Sequence, residues 1–227
     1  GVGFKIAYMV TTVAADWAQN VHGWFAVLPF ELMGVSTLTL LFTLIMTAVV
    51  CILMGCGIPT TANYLIMIAV AAPILGMLGV QPLVAHFFVF YFGVLADITP
   101  PVALAAYAAA GIAGANAFKT GNTAFRLGMG KALVPFVFAF SPSLLIVVDG
   151  FTWNEFFLAT LGAMAGIWML SAAFANWLFA PLYAYERVLL VLAAVLLVAP
   201  HLVATLIGVA LVVPVFLRQI LTKQRTA

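Results

Sequence analysis

The sequence predicts an all-α integral membrane protein, a polytopic helical bundle, and three observations support this prediction. Charged residues make up 6% of the chain and hydrophobic residues 67%, whereas a soluble domain carries about 25% charged residues. The apolar runs are long enough for helices that cross a ~30 Å hydrocarbon core with about 20 residues each. The sequence lacks the repeated alternation of apolar and polar positions over about ten residues that is typical of an outer-membrane barrel.

Charge and cysteine content argue against several other functions. The formal net charge is +2, and the basic residues are scattered among loops and tail. The sequence therefore lacks the basic patch that is typical of a nucleic-acid-binding protein. Cys51 and Cys56 are the only cysteines, and at bilayer depth a small thiol is mostly a packing residue. We therefore expect neither a disulfide framework nor a cysteine and histidine metal site.

Residues 1–34 are predicted to form the end of one helix and an interfacial loop. Val2 to Val13 are moderately apolar, and a polar segment from Asp16 to His22 follows. Trp17 and Trp24 suit the headgroup level of a membrane, where tryptophan is enriched. We expect the helix to end before this polar segment.

Residues 35–81 are predicted to form a helical hairpin. Its arms are separated by Gly55-Cys56-Gly57-Ile58-Pro59-Thr60-Thr61-Ala62-Asn63. Pro59 suits the first residue of the second arm, because its fixed φ is helical and its missing N–H costs nothing there. The hairpin either joins two ordinary spans by a surface turn or re-enters the membrane with its tip near the midplane. The tip lacks the charge or aromatic anchor usual in a surface turn, so we favour the re-entrant hairpin, whose irregular backbone must then be buried or line a cavity.

Residues 82–116 are predicted to form one discontinuous membrane helix. Its two halves are each too short to span, and they flank Asp97-Ile98-Thr99-Pro100-Pro101. The prolines cannot donate N–H bonds, so carbonyls of the preceding turn are left free. A carboxylate at bilayer depth costs about 2.5–3.5 kcal/mol on insertion scales and usually faces a polar pathway. The alternative is that Asp97 lies in a surface loop.

The rest of the chain is assigned by length and charge. Residues 117–132 are predicted to be a cytoplasmic loop by the positive-inside rule, because they contain three basic residues and no acidic one: Lys119, Arg126 and Lys131. Residues 133–217 are predicted to be membrane helices, with the first span from Leu133 to Val148, and residues 218–227 a basic cytoplasmic tail. The two short apolar segments around Pro200-His201 form either a hairpin or one long tilted helix. We favour the hairpin, because it keeps the tail in the cytoplasm.

The two interruptions are predicted to bind ions. Each joins a helix C-terminus, which carries about −0.5 charge, to a helix N-terminus, which carries about +0.5. Carbonyl-rich ends suit a cation such as Na⁺, and the candidates are Gly55, Gly57, Ala96, Asp97 and Thr99. Helix N-termini suit an anion, and the candidates are Pro59, Thr60, Thr61, Asn63, Thr99, Pro100 and Pro101. Paired discontinuous helices are the best sequence pointer to a secondary-transporter site.

Other functions fit the residues less well. A polytopic enzyme acting on a lipid or isoprenoid needs converging acids, bases or a nucleophile, and beyond Asp97 and His86 the spans offer almost none. A lone histidine on an apolar helix is more often a core residue than a proton relay. A purely structural subunit gives no reason for two mid-membrane breaks with threonines at both. The glycines at Gly55 and Gly57 lack the lysine and preceding strand that a nucleotide loop requires.

Both interruptions resemble a known signature. Gly55 to Tyr64 is similar to the Gly-x-Gly-x-Pro-Thr-Thr-Ala-x-Tyr motif of the large membrane subunit of tripartite ATP-independent periplasmic (TRAP) transporters. It is most similar to the fused 4TM/12TM permeases that work with TAXI-type binding proteins. The similarity continues from Ala85 to Ala110 and is specific from about Met54 to Pro142. Cys56 stands where this family is expected to have a methionine.

This resemblance implies one inverted repeat of an elevator-type transporter in the bacterial inner membrane. The activity implied is Na⁺-driven import of small organic anions, typically carboxylates, with Na⁺ as coupling ion, no other cofactor and no enzymatic reaction. The implied partners are a TAXI-type periplasmic binding protein, membrane lipid, and the remainder of the permease with its N-terminal repeat and fused small subunit. Because Gly1 to Lys5 contain neither an initiator methionine nor a signal-peptide pattern, we interpret the chain as a fragment. Without the N-terminal repeat and the fused small subunit, this fragment alone is not expected to transport.

Overall fold

The computed structural model describes residues 2–25, 34–146, 151–198 and 202–226. Within these ranges the chain is helical and has no named strand, although one isolated bridge joins Trp177 and Pro181. It divides into two compact units, Gly1–Phe125 and Arg126–Ala227. Five helical stretches in the described part are long and apolar enough to cross a membrane. The predicted all-α polytopic membrane fold is therefore confirmed.

The first unit is built from helices that pack around one apolar core. They are α1 (Val2–Phe25), α2 (Val35–Gly55), α3 (Thr60–Met77), α4 (Pro82–Leu95) and α5 (Leu104–Ala113), with a 3₁₀ turn at Ala96–Ile98 between the last two. Helix α1 packs on α2 and α3, while α2, α3 and α4 pack on one another. Leu44, Leu75 and Phe88 are fully buried between them.

Helix α1 corrects the prediction for residues 1–34. The chain stays helical to Phe25, so no interfacial loop begins after Val13. Ala14 and Ala18 are fully buried one turn apart, which gives this stretch a packed face although its other residues are polar. Polar side chains on the exposed side of a helix do not end it, because a packed face stabilises the helix. The rest of the predicted loop, residues 26–33, lies outside the described residues.

Helices α2 and α3 are the two arms at residues 35–81, and residues 56–59 join them. Gly57 has φ +88°, a conformation that favours glycine because it has no Cβ. Pro59 is the N-cap of α3 instead of its first helical residue: its ψ of 139° is extended. Its carbonyl accepts the first bond of the helix, from the N–H of Asn63 at 3.0 Å.

The membrane helix predicted for residues 82–116 is interrupted between α4 and α5. The second half begins at Leu104, because Ala103 adopts a left-handed conformation with φ +36°. The N–H of Thr99 bonds to the carbonyl of Ala96 at 3.0 Å, and the N–H of Ala103 bonds to the carbonyl of Thr99 at 3.1 Å. These bonds replace the helical ladder where Pro100 and Pro101 have no N–H to donate.

The basic loop predicted for residues 117–132 is helical instead. Helix α6 (Ala117–Gly128) begins after Asn116, whose side-chain oxygen accepts the N–H of Lys119 at 2.9 Å. This is an N-cap, which satisfies one of the free donors at the start of a helix. A 3₁₀ turn (Met129–Leu133) then connects α6 to α7 (Val134–Phe140).

The second unit also corrects the predicted span from Leu133 to Val148. The helix stops at Phe140, and a separate 3₁₀ turn covers Pro142–Leu145. The residue before a proline is restricted to extended conformations, and Ser141 has φ −136° and ψ 75°. The rest of the predicted span, residues 147 and 148, lies outside the described residues.

Three long helices complete the second unit: α8 (Trp153–Ala175), α9 (Ala184–Val198) and α10 (Leu202–Thr226). Helices α9 and α10 are separate and pack together, as a Cβ on Gly208 would lie 3.2 Å from the Ala193 carbonyl oxygen. This is the hairpin arrangement that charge sidedness favours, although Pro200 and His201 lie outside the described residues. Helix α10 continues to Thr226, so the basic tail at 218–227 is mainly helical instead of a free tail.

Side chains near the end of α10 explain why the helix extends this far. Arg218 forms an ion pair with Glu186 at the start of α9, with one nitrogen–oxygen distance of 2.6 Å. Gln219 is fully buried and accepts the N–H of Ala180 at 2.8 Å. Glu186, also fully buried, accepts the N–H of Tyr183 at 2.8 Å. These bonds hold the α8–α9 connection against α10.

We expect Glu186→Ala to lower the free energy of unfolding by about 2 kcal/mol, because hydrogen bonds to charged groups contribute about 1.5–3 kcal/mol. The measurement is the thermal unfolding midpoint of the purified protein in detergent. Asp16→Ala is the matched control, since Asp16 is an exposed acid in the middle of α1. Equal midpoints for Glu186→Ala and the parent protein would contradict the role of this ion pair.

Candidate functional site

The tip of the α2–α3 hairpin lies against the interruption between α4 and α5. The hydroxyl of Thr60, the first residue of α3, donates a hydrogen bond to Oδ2 of Asp97 at 3.1 Å. Gly55, the last residue of α2, lies against Ala96, and a Cβ on Gly55 would be 2.5 Å from the Ala96 Cβ. The two interruptions found in the sequence therefore meet in one place.

Glycines make this close approach possible. A Cβ on Gly55 would lie 2.7 Å from Nδ2 of Asn63, and one on Gly93 would lie 3.4 Å from the same atom. Gly93 was not among the predicted site residues. An isolated glycine inside an apolar helix was the signal available for it, since such a glycine often marks close packing.

Asn63 occupies the centre of this contact and is 1% exposed. Its Nδ2 donates to the carbonyl oxygen of Cys51 at 3.1 Å, which fixes α3 to α2 and uses one of the two N–H donors of the amide. Its Oδ1 is buried and has no hydrogen-bond partner among the described residues. A buried acceptor without a partner costs about 1–3 kcal/mol, and such an atom in a native protein is a candidate contact for a ligand or ion.

Backbone carbonyls at both interruptions lack their helical donors. The carbonyl of Gly55 would pair with residue 59 and that of Asp97 with residue 101, and both of those residues are prolines without an N–H. No other backbone hydrogen bond reaches either carbonyl within the described residues. Together with the half-buried Asp97 carboxylate, these oxygens form a set that suits a hard cation.

The other predicted cation ligands contribute less. Ala96 already accepts the Thr99 N–H, and the Thr99 hydroxyl donates to the Leu95 carbonyl at 2.8 Å. The Ala96 carbonyl keeps one lone pair for an ion, and the Thr99 hydroxyl oxygen keeps both of its lone pairs but is oriented by the bond that it donates. Gly57 is exposed, and no other group lies within 4 Å of the position where its Cβ would be. The structure therefore brings Gly55, Ala96, Asp97 and Thr99 together and leaves Gly57 outside.

Two helix N-termini open at the same interruptions. Neither α3 nor α5 has a side-chain cap, so the N–H groups of their first turns are available to an anion. The Tyr107 hydroxyl donates to the Pro101 carbonyl at 2.7 Å. The predicted anion candidates differ in position: Thr60 contacts Asp97, Asn63 is buried, Thr99 and Pro100 lie inside the interruption, and Pro59, Thr61 and Pro101 are exposed.

A further polar contact joins α3 and α4 away from this site. The Tyr64 hydroxyl and Nδ1 of His86 are 2.6 Å apart. Each is a polar residue inside an apolar run, and this was the signal that the sequence offered for a polar contact. Their spacing in the sequence does not indicate that they contact each other. No hydrogen bond within the described residues links His86 to Asp97.

Comparison with known proteins identifies the family. The family model described as "Tripartite ATP-independent periplasmic transporter, DctM component" matches residues 1–153, a segment that includes the hairpin tip and the helix interruption. No curated protein and no solved structure matches the chain. The DctM component normally works with a substrate-binding protein and a small membrane subunit. The chain therefore belongs to the DctM family and is a multi-pass membrane component of a tripartite ATP-independent periplasmic transporter.

Proposed function

We propose that this chain binds Na⁺ and a small organic anion, a carboxylate, during Na⁺-driven import across the bacterial inner membrane. In this proposal a TAXI-type periplasmic binding protein delivers the anion. The remainder of the permease supplies the N-terminal repeat and the fused small subunit. The observation that carries the proposal is the contact between the two interruptions, made by Thr60 and Asp97.

The cation part of the proposal rests on oxygen atoms. Asp97 supplies a carboxylate, the carbonyls of Gly55 and Asp97 have no helical donor, and Asn63 supplies a buried free Oδ1. The carboxylate and the two carbonyls lie at the C-terminal ends of α2 and α4, where the helix dipoles add about −0.5 charge each, while Asn63 belongs to the start of α3. Such ends of broken helices coordinate Na⁺ in secondary transporters. In this proposal Na⁺ is a transported ion.

The anion part of the proposal rests on the uncapped starts of α3 and α5. Their first-turn N–H groups carry about +0.5 charge at each terminus and are a ready-made site for a carboxylate. The exposed hydroxyl of Thr61 stands in the first turn of α3. Placing an anion beside a bound Na⁺ also lowers the electrostatic cost of holding either charge inside the membrane.

The same contact supports a re-entrant hairpin. Helix α4 has 14 residues and rises about 20 Å at 1.5 Å per residue, which is less than the ~30 Å hydrocarbon thickness. If α4 and α5 cross the membrane together, Asp97 lies well inside it, and so does the Thr60 side chain that contacts it. An elevator-like movement of this assembly would then carry both ligands across the membrane.

The proposal is tested by uptake into membrane vesicles that contain the permease and its own binding protein. We expect a panel of radiolabelled carboxylates to include substrates whose uptake requires an inward Na⁺ gradient. Replacing Na⁺ with K⁺ at the same ionic strength should abolish that uptake. Uptake that persists equally in K⁺ would overturn the Na⁺ coupling, and uptake restricted to uncharged compounds would overturn the anion class.

Thr60→Val is expected to raise the Na⁺ concentration for half-maximal uptake about tenfold or more. The hydroxyl that positions Asp97 is lost, and a hydrogen bond to a charged group contributes about 1.5–3 kcal/mol. Thr60→Ser is the matched control, because it keeps the hydroxyl and should retain most of the Na⁺ affinity. If Thr60→Val and Thr60→Ser have the same Na⁺ dependence, the hydroxyl has no role in the site.

A further inference from the structure

An open groove of about 390 Å³ lies between α8 and α9 in the second unit. Phe174 lines it from α8, and Val188, Val191 and Leu192 line it from α9 together with Arg187. The α9 residues recur at intervals of three and four, so they occupy one face of that helix. The groove is thus apolar along its length, with a guanidinium among its lining residues.

Two arginines are held side by side at the end of α8. Nε of Arg187 donates to the carbonyl oxygen of Ala173 at 2.9 Å, and Nε of Arg126 donates to that of Phe174 at 3.2 Å. Basic side chains commonly bond the last carbonyls of a helix, and this role occupies the Nε–H of each guanidinium. A guanidinium has five N–H donors in a planar fork, and the Nη groups of Arg126 and Arg187 make no hydrogen bond within the described residues.

The positive charge at this point is not neutralised by the neighbouring acid. Glu186 precedes Arg187 in sequence, but its carboxylate is fully buried and paired with Arg218. Lys131 is exposed, and the adjacent Gly130 packs against Ser171 of α8, so a third cation lies near the same end of the helix. Free guanidinium forks are suited to phosphate, which they can bind bidentately.

Aromatic residues indicate the depth of this end of the groove. Trp177, Tyr183 and Tyr185 are each more than half exposed, and the rings of Tyr183 and Tyr185 stack with centroids 5.8 Å apart. Tryptophan and tyrosine are enriched at the membrane–water interface. The arginines therefore lie at headgroup level, and the apolar wall formed by α9 runs from there into the hydrocarbon.

We propose that the groove binds an anionic phospholipid. Arg126 and Arg187 hold its phosphate, and one acyl chain lies along Phe174, Val188, Val191 and Leu192. Basic pockets beside membrane helices on the cytoplasmic side are suited to anionic headgroups. Here the two arginines form the basic part, and the apolar lining of the groove extends from it. The site is independent of the proposed transport site, and its groove lies beyond residues 1–153 that the family model matches.

The test is lipid binding to the purified, delipidated permease, measured by native mass spectrometry with phosphatidylglycerol and phosphatidylcholine. We expect the parent protein to prefer phosphatidylglycerol. Arg126→Gln and Arg187→Gln should each weaken its binding about fivefold, because a basic residue at the surface contributes about 1 kcal/mol to anionic lipid binding. Lys119→Gln, which removes an exposed cation of the first unit, should leave binding unchanged.

A groove-filling variant and a competition separate lipid binding from simple anion binding. Leu192→Trp leaves both arginines in place and should weaken phosphatidylglycerol binding, because the larger side chain blocks the acyl chain. In the competition, inorganic phosphate at millimolar concentration should fail to displace the lipid from the parent protein. Equal binding of phosphatidylcholine would overturn the proposal. So would displacement by inorganic phosphate, or an effect of Lys119→Gln as large as that of Arg187→Gln.

Discussion

Asp97→Asn is expected to abolish Na⁺-dependent uptake by the permease while leaving the protein folded in the membrane. The substitution keeps the side-chain shape and an oxygen that can accept from Thr60, and it removes only the negative charge. Two unit charges 4 Å apart interact by about 4 kcal/mol at an effective dielectric constant of 20. Losing an interaction of this size weakens Na⁺ binding by about 100-fold or more.

The measurement is initial-rate uptake of the identified substrate as a function of Na⁺ concentration. Glu155→Gln is the control, because Glu155 is an exposed acid at the start of α8 in the other unit. Its Na⁺ dependence should match that of the parent permease. If Asp97→Asn also matches the parent permease, Asp97 does not belong to the coupling site.

Gly55→Ala is also expected to impair Na⁺-dependent uptake, through packing instead of charge. The new Cβ would lie 2.5 Å from the Ala96 Cβ and 2.7 Å from the Asn63 Nδ2, so the hairpin tip must move away from the helix interruption. Overpacking of this kind costs about 1–3 kcal/mol. It also separates the Gly55 carbonyl from the Asp97 carboxylate, and we expect uptake to fall at least tenfold.

Two companion variants make this prediction specific. Gly76→Ala places the same methyl group on an exposed position of α3 where nothing lies within 4 Å, and it should transport normally. Gly55→Ala combined with Ala96→Gly removes one of the two close contacts and should recover part of the lost uptake, because residues in contact couple in double-mutant cycles. Full activity of the single variant Gly55→Ala would mean that this contact does not hold the site together.

The fold class and the positions of both interruptions could be predicted from sequence because they depend on local chemistry. The apolar composition indicates that the helices lie in a membrane. Glycine and proline set the conformation of their own backbone, which is why the interruptions fall at Gly57, Pro59, Pro100 and Pro101. The errors at residues 1–34 and 117–132 came from treating polarity as a signal for chain breaks. Polar residues near Asp16 and Lys119 lie on helices α1 and α6, where a buried alanine face or an asparagine cap outweighs the polar composition.

The candidate site could be predicted only in part, because its contacts are tertiary. The sequence indicated that Thr60 and Asp97 belong to one site but did not indicate a direct hydrogen bond between residues 37 positions apart. The sequence predicts that Asn63 donates to a carboxylate, and it does not indicate that one N–H of this amide binds the Cys51 carbonyl. The role of Gly93 depends on which helix packs against it, and helical periodicity does not provide that information.

The most direct test of the proposed site is equilibrium binding of radioactive Na⁺ to the purified permease. We expect Asp97→Asn to bind one Na⁺ fewer per permease than the parent protein at the same Na⁺ concentration, and Gly76→Ala to bind the same number as the parent. Equal Na⁺ stoichiometry and affinity in Asp97→Asn and the parent protein would contradict the assignment of a Na⁺ site to the two interruptions.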